Sequence, residues 1–454
     1  MSPFHSRLTL DALRTLIDTG DIDTVVLAMT DMQGRLQGKR IAADFFLAEV
    51  VANAAEGCGY LLAVDVDMNT VDGYEISSWD NGYGDLVFSP DLDTLRLVPW
   101  HPGTAMVQCD MLHHDGRPVS VSPRQILQRQ LDRLAERGWY AYAGTELEFM
   151  VFKDTYEQAW DKDYHGLAPV NQYNVDYSIL GTGRIEPLLR RLRNEMAGAG
   201  LTVESAKGEC NPGQHEIAFK YDKALIACDD HSVYKTGAKE IASQENVSLT
   251  FMAKYNEREG NSCHIHLSLR DADGRPVMAG DGGYGFSPVM EHFLAGQLAC
   301  LADFSLFLAP TINSYKRYVP GSFAPTAIAW GRDNRTCALR VVGHGSSLRF
   351  ENRVPGGDVN PYLAVAALIA AGLHGVENAL PLEPEFTGNA YASAGPRVPA
   401  TLREAVALFE SSPVAMDAFG KDVVTHYSHA GHVEMAAFDE AVTDWERRRN
   451  FERL

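Results

Sequence analysis

Arg349, Glu351 and Arg353 stand at alternate positions in the run Ser347-Leu-Arg-Phe-Glu-Asn-Arg-Val-Pro355. In a strand, successive side chains point to opposite faces. The three charges therefore share one face, while Leu348, Phe350 and Val354 take the other with Asn352 among them. Charge is costly to bury unless it is paired, bound to a metal or holding a ligand. Two guanidiniums flanking one carboxylate suit an anionic substrate held beside a cation. The same alternation recurs in Gly144-Thr-Glu-Leu-Glu-Phe149, with Glu146 and Glu148 on one face, and in Gly260-Asn-Ser-Cys-His-Ile-His-Leu-Ser268, with His264, His266 and Ser268 on one face. Three strand-like segments that each aim liganding groups to one side point to a site rather than a solvated surface.

Each segment has a plainer reading when taken alone. Glu146 and Glu148 fit a solvated strand face, although carboxylates are also natural ligands for Mg²⁺ or Mn²⁺. Glu204, Glu209 and Glu216 lie around a Pro-Gly turn at 212–213. Glu209 and Glu216 straddle the turn and could converge on one ion, or decorate a surface hairpin. The His-x-His pair fits a zinc hydrolase, two hydrogen-bonded core histidines, or a Mg²⁺/Mn²⁺ site if the other ligands are carboxylates. Arg317, Arg335 and Arg340 make the stretch from 313 onward Arg-rich within an acidic chain. Arginine is the residue of choice for carboxylate and phosphate.

The elements that must hold these residues follow from length and punctuation. At 454 residues the chain is too long for one ordinary core. We expect a strand-rich domain at 1–114 and a larger domain at 115–454. The spacing predicts a short helix over 7–19 with Thr9 near its start, a strand at 24–30, a turn at Asp31-Met-Gln-Gly34 and a return through 35–41. Further strands are expected near 61–66, 85–88 and 104–110. Ser122-Pro123 opens a helix ending near Gly138. Beyond it, helices are expected near 182–199, 222–245, 286–308 and 360–378. Strands are expected near 139–151, 201–205, 248–252, 262–269 and 347–354, and a mostly helical tail from 400. A net charge of −20 leaves no basic excess to neutralise phosphates, which argues against nucleic acid as a partner. Seven scattered cysteines, none in a Cys-x-x-Cys pair, fit reduced thiols in a cytoplasmic protein. The longest apolar run, Tyr362–Leu373, is short of a membrane span and reads as a buried helix.

Taken together and in order, the motifs resemble those of the glutamine synthetase family over nearly the whole chain. They are Asp31-x-x-Gly-Arg-x-x-Gly-Lys39, Gly-x-Glu146-x-Glu148-Phe, Glu209-x-x-Pro-Gly-Gln-x-Glu216, His264-x-His266, Asn313-Ser-Tyr-Lys-Arg317, Asn334-Arg335, and Arg349-x-Glu351-x-Arg353 with Asn360-Pro-Tyr362 behind it. The resemblance implies an α+β fold, with a small β-grasp-like N-terminal domain and a large α/β catalytic domain built on an open, antiparallel, funnel-like barrel. It implies two divalent metals, Mg²⁺ or Mn²⁺, with Glu148, Glu209 and Glu216 on the first and Glu146, His264 and Glu351 on the second. Glu204, Tyr221, His266, Ser268, Arg335, Arg340 and Arg349 match positions around ATP. Gly260, Arg317, Arg335 and Arg353 match positions around glutamate and the transferred phosphate. The implied assembly is a dodecamer of two hexameric rings with each site between neighbouring subunits, which would bring Asp72 to the next subunit's site. The implied chemistry is attack of glutamate's γ-carboxylate on the γ-phosphate of ATP, then displacement of phosphate by an amine, with Arg335, Arg353 and Asp72 as the catalytic groups.

The departures bear on the amine. Ammonia-using members carry a Glu in a Gly-Tyr-Glu-Ala-Pro flap, where this chain reads Gly321-Ser-Phe-Ala-Pro325. Phe323 cannot accept a proton but could pack against the carbon chain of a larger amine, with Asp72 as its polar partner. This flap resembles the γ-glutamyl-amine ligases, and the runs Val71-Asp-Gly-Tyr74, Asn261-Ser-Cys-His-Ile-His266 and Val341-Val-Gly-His-Gly345 resemble, within them, a subgroup linked to ethanolamine. Polyamine ligation (putrescine or spermidine), ordinary ammonia-dependent glutamine synthesis and a catalytically inactive scaffold are the alternatives.

Overall fold

The protein is described by a computed structural model over residues 7–454. The first sheet comprises β1 (Thr24–Thr30), β2 (Leu36–Ala42), β3 (Ala55–Cys58), β4 (Asp85–Pro90), β5 (Arg96–Leu97) and β6 (Thr104–Leu112). Its order is β2-β1-β6-β4-β3, with β5 also on β6. β1 runs parallel to β6 and the remaining pairs are antiparallel. The β1–β2 turn closes because the buried Asp31 carboxylate accepts the N–H groups of Gln33 and Arg35 at 3.0 and 2.8 Å. Gly34 takes φ +81° there, a conformation side chains rarely adopt. A Cβ on Gly34 would sit 3.0 Å from Asn360 Cα. The Asn360 amide donates to the carbonyls of Asp31 and Met32, so two motifs far apart in sequence form one joint.

The second sheet comprises β7 (Trp139–Phe152), β8 (Val203–Gly208), β9 (Gln214–Phe219), β10 (Asp222–Lys223), β11 (Ser248–Thr250), β12 (Cys263–Asp271), β13 (Trp330–Arg332), β14 (Leu339–Val342) and β15 (Arg349–Asn352). It is ordered β13-β14-β15-β12-β7-β9-β8, with β10 and β11 also pairing β7. Only β13–β14 is parallel. The result is an α+β architecture built on a nine-stranded, almost entirely antiparallel sheet. The helix Pro361–Glu377 is buried along most of its length and packs on the helices Pro288–Cys300 and Pro123–Ala135. Close approach is possible because Gly296 lacks a Cβ, which would lie 2.1 Å from the Ala371 carbonyl oxygen. Buried apolar residues of both sheets and these helices merge into one core.

Most predicted elements are present. Thr9 caps the helix Leu10–Asp18 by accepting the Ala12 N–H. The strand expected near 61–66 is instead a tight turn at Gly59–Leu62 followed by an isolated Val64–Thr70 bridge, and the strand lies earlier, at 55–58. The helix expected over 286–308 is two, Pro288–Cys300 and Ser305–Leu308, with the Ser305 hydroxyl bonded to the Ala302 carbonyl at the break. A serine side chain that bonds backbone offers the chain an alternative to helix. β13 and β14 are short and carry Arg and Gly, so they gave no alternating signal.

His231, on the helix Ala224–Gln244, lies behind β7 with Nδ1 3.1 Å from Thr145 Oγ1. Burial draws both His231 and His426, on the helix Lys421–Glu440, down to about 3. An unfolded histidine titrates near 6.5. Below that pH the unfolded chain binds protons that the folded chain refuses, so stability falls as pH falls from about 6.5 towards 3, by about 1.4 kcal/mol per pH unit per histidine. The melting temperature is expected to drop steadily between pH 7 and pH 5, and less steeply in a His426→Leu variant. An equal slope in that variant would remove His426 from the account.

Candidate active site

Strand register places the charged residues of the second sheet on one face. His264 pairs with Glu146, His266 with Glu351, Glu148 with Glu216, Glu216 with Lys207, and Arg340 with Glu351. Because the side-chain period is two, these residues share a face while Leu147, Ile217, Ile265 and Phe350 go to the core.

Glu148, Glu209 and Glu216 each bring one carboxylate oxygen within 4.8 Å of the others. Glu148 Oε2 is fixed by the Ser262 N–H at 2.7 Å and the Gln214 amide at 3.0 Å. Lys207 ion-pairs with Glu209, and its Nζ is 3.8 Å from Glu216 Oε1. Burial pushes Glu216 up to about 8; Lys207 opposes this and the carboxylates of Glu146, Glu148 and Glu351 add to it. Three convergent carboxylates, one resisting ionisation, are a donor set that fits a hard divalent cation.

A second cluster forms around Glu146. Glu146, His266 and Glu351 offer atoms within 4.8 Å of one another. His264 Nδ1 lies 3.3 Å from Glu146 Oε2 and 3.4 Å from Glu351 Oε1. His266 Nε2 lies 2.9 Å from Glu146 Oε1 and its Nδ1 faces Arg349 Nε at 3.2 Å. The two histidines thus share Glu146, and the structure brings both His264 and His266 to this cluster. Burial raises Glu146, but hydrogen bonds from His264 and His266 outweigh it and hold the carboxylate well below its usual range. Glu351 is fully buried; one oxygen is bound by Arg340 Nη1 at 2.9 Å and the other by Arg353 Nη1. Burial pushes it up, yet His264 and Arg353 hold it below the usual carboxylate value.

Two cavities open onto this face and meet at Glu146. One, of about 380 Å³, is lined by Glu204, Tyr221, His266, Ser268 and Arg349. Gly144 keeps it open on the same face, since a Cβ there would lie 3.3 Å from Tyr221 Cβ. The other, of about 240 Å³, contains Glu209, Gly260, Phe323, Arg335, Arg340 and Arg353. Arg340, expected near ATP, lines this second cavity. Arg317 lies behind its wall, 1% exposed, with its guanidinium committed to the Val354 carbonyl and the Ser262 hydroxyl. A Cβ on Gly260 would lie 2.8 Å from Arg317 Cγ, so Arg317 sets the wall's position. Phe323 sits half-exposed at the rim with φ +59°, its carbonyl 3.4 Å from Arg353 Nη2. Asp72 is exposed and lines neither cavity; its carbonyl accepts from His429 Nε2 at 2.7 Å.

The second cavity also contains residues that the sequence reading missed. Lys207, Asp176, Tyr177 and Glu259 all line it. Lys207 alternates with Glu209 and was detectable on that ground. Asp176, Tyr177 and Glu259 lie outside the regular strands, where no periodicity marks them.

Residues 120–450 match the glutamine synthetase catalytic domain. The chain belongs to the glutamine synthetase family. It is 69% identical over 447 residues to the gamma-glutamylethanolamide synthetase of Streptomyces coelicolor, covering 98% of this chain and 96% of that one. It is 38% identical to a glutamate–isopropylamine ligase of a Pseudomonas species, covering 96% of each. Among solved structures, an ADP complex of GmaS superposes with a TM-score of 0.86 at 27% identity, over 97% of this chain and 99% of that one. Enzymes of this family are ligases that use ATP and divalent metal ions, with glutamate and an amine as substrates. Among the described residues, no helix is long and apolar enough to cross a membrane.

Replacing Glu351 with alanine should leave Arg353 buried without a counter-charge, while Arg340 keeps its ion pair with Asp333. Breaking such a pair costs about 3–5 kcal/mol. The expected result is a lower melting temperature together with a loss of ~10²–10³-fold in turnover, the scale of removing one preorganised charge-stabilising group. Wild-type turnover in a folded Glu351→Ala protein would remove Glu351 from the site.

Proposed function

We propose that the chain joins the γ-carboxylate of glutamate to the amine of ethanolamine at the expense of ATP, giving γ-glutamylethanolamide. The observation that carries this reading is Phe323, half-exposed at the rim of the Arg-lined cavity, where ammonia-using relatives are expected to carry a glutamate. A phenyl ring cannot deprotonate ammonium but can cover the methylenes of a small amine. Similarity to a gamma-glutamylethanolamide synthetase along nearly the full chain supports ethanolamine as that amine.

The roles follow from placement. ATP occupies the cavity of Tyr221, Glu204, Ser268 and Arg349, with His266 at its inner end; glutamate occupies the cavity of Gly260, Arg335 and Arg353, whose wall Arg317 supports. The two meet at Glu146, where phosphoryl transfer takes place. Glu148, Glu209 and Glu216 would hold one Mg²⁺ or Mn²⁺, and Glu146, His264 and Glu351 would hold a second. Such ions, when bound, offset the repulsion between carboxylate and triphosphate. A γ-carboxylate oxygen bonds to the γ-phosphorus as the bond to ADP breaks. Arg335, Arg340 and Arg353 face the charge that develops on the transferring group. The Glu351 carboxylate keeps Arg340 and Arg353 aimed. The amine nitrogen then bonds to the activated carbonyl carbon and phosphate departs. The proton leaving that nitrogen passes to a carboxylate at the rim, for which Asp72 of a neighbouring subunit serves in the two-ring dodecamer we propose.

A second reading, polyamine ligation, has one observation in its favour. Asp176 and Glu259 place two carboxylates in the same cavity as Phe323, where a distal ammonium would need an anionic anchor.

Phosphate release from ATP and glutamate, measured across ammonium, ethanolamine, putrescine, spermidine and short monoamines with mass detection, separates these readings. A γ-glutamylethanolamide product from ethanolamine, well above any other amide, is the expected outcome. Dominant polyamine products would assign Asp176 and Glu259 as anchors instead, and glutamine as the sole product would overturn the flap assignment. In Phe323→Glu, ammonia turnover relative to ethanolamine should rise at least ~10-fold, a modest share of the ~10²–10⁴-fold contributed by one well-placed general base. A folded variant with an unchanged ratio would show that Phe323 does not select the amine.

A further inference from the structure

Phe323 keeps φ at +59°, a backbone conformation that bulky side chains rarely adopt. Such a conformation persists only where its surroundings over-determine it. The flap Gly321-Ser-Phe-Ala-Pro325 lies outside the strands of either sheet, so no ladder supplies that support. It is tied instead at separate points. Ahead of Phe323, the Ser322 hydroxyl reaches the Val319 carbonyl at 2.6 Å. Behind it, the Val398 N–H donates to the Thr326 carbonyl at 3.2 Å, and the Ile328 N–H to the Pro396 carbonyl at 2.9 Å. The carbonyl of Phe323 itself meets Arg353 Nη2 only at 3.4 Å, beyond the usual span of an N–H···O bond.

The tie next to Phe323 on its C-terminal side is a side chain far along the chain. The Tyr391 hydroxyl donates to the Ala324 carbonyl at 3.1 Å. Tyr391 belongs to the short turn Ala390–Ala392, which is itself held in place. Ala390 is fully buried in a small cluster with Ala327 and Cys337, and its N–H donates to the Thr336 hydroxyl at 2.9 Å. Arg397 closes the frame, with Nη1 donating to the Thr326 hydroxyl at 3.0 Å and lying 3.4 Å from the Tyr391 carbonyl. Burial holds the Tyr391 phenol above its ordinary value although Arg353 opposes this, so the hydroxyl stays protonated and can donate. Tyr391 lines neither cavity of the candidate active site. It grips the residue after Phe323 as Ser322 grips the one before.

We infer that Tyr391 is a positioning residue for amine selection: its hydroxyl, through the Ala324 carbonyl, sets where the Phe323 ring stands over the amine. The inference rests on Phe323 as the residue that faces the amine. Tyr391→Phe removes the hydroxyl and keeps the ring, so the packing of the turn is retained while the Ala324 carbonyl loses its tether. The Phe323 ring then samples more positions and covers a small amine less well. ATP and glutamate do not depend on that ring, and their binding is unchanged.

Steady-state kinetics of the full chain, Tyr391→Phe, Phe323→Ala and the double variant, with ethanolamine, ATP and glutamate varied in turn, tests this. KM for ethanolamine is expected to rise about fivefold in Tyr391→Phe, the scale of one hydrogen bond, while KM for ATP and for glutamate holds. In the Phe323→Ala background the same loss of the hydroxyl should add nothing, because residues that act through one another are not additive. An unchanged ethanolamine KM in Tyr391→Phe, beside a raised one in Phe323→Ala, overturns the inference and leaves the reading of Phe323 standing. A parallel rise in all three KM values overturns it as well, since that is general loosening of the fold. So do effects that simply add in the double variant. If Phe323→Ala leaves the ethanolamine KM unchanged, the reading of Phe323 fails and takes the inference with it.

Discussion

The burial of Glu351 between two guanidiniums is the constraint on which the rest of the site depends. A fully buried carboxylate stays ionised only if its environment supplies the lost hydration, and Arg340 and Arg353 do so, one on each oxygen. That arrangement fixes Arg353, whose one ion-pair partner among the described residues is Glu351, and holds Arg340 between Glu351 and Asp333. It also keeps a negative charge facing His264 at the junction of the two cavities. A site that handles two anionic substrates needs both signs held rigidly in place, and the Glu351 cluster holds both.

The scaffold delivers this through one long strand. β7 pairs with β9, β10, β11 and β12, so its Glu146 and Glu148 are placed relative to four other strands at once. Glu146 meets the histidines of β12, and Glu148 meets Glu216 of β9. Behind the strand, His231 bonds Thr145 from the helix side. The carboxylate-bearing face is therefore backed by hydrogen-bonded and apolar layers, which limits how far its carboxylates can move apart when they repel.

The two cavities meet at Glu146, and their linings differ in kind. The Tyr221 side has an aromatic ring and few acids, suited to a nucleotide. The Phe323 side is crowded with charge, suited to an amino acid and a phosphoryl group. Phe323, Asp176, Tyr177 and Glu259 of that cavity project from irregular segments rather than from the strands that hold the clustered carboxylates. Such segments can vary without disturbing the carboxylate-bearing face.

Much of this was legible in the chain. Alternation of charge with Leu, Phe and Ile marked β7, β12 and β15, and the order of motifs marked the family. Both follow from the period of two, which a linear sequence displays directly. The sequence did not show that Arg317 would lie behind the wall, or that Asp176 and Glu259 would line the cavity of Phe323. Those facts depend on how loops cross the sheet and which strands become neighbours. The pairing of His266 with Glu351, residues 85 positions apart, is decided by long-range register. The sequence by itself determined which side chains could do the chemistry. Only the tertiary structure decided which of them meet, because convergence on a common point is a property of strand order and packing that no local pattern records.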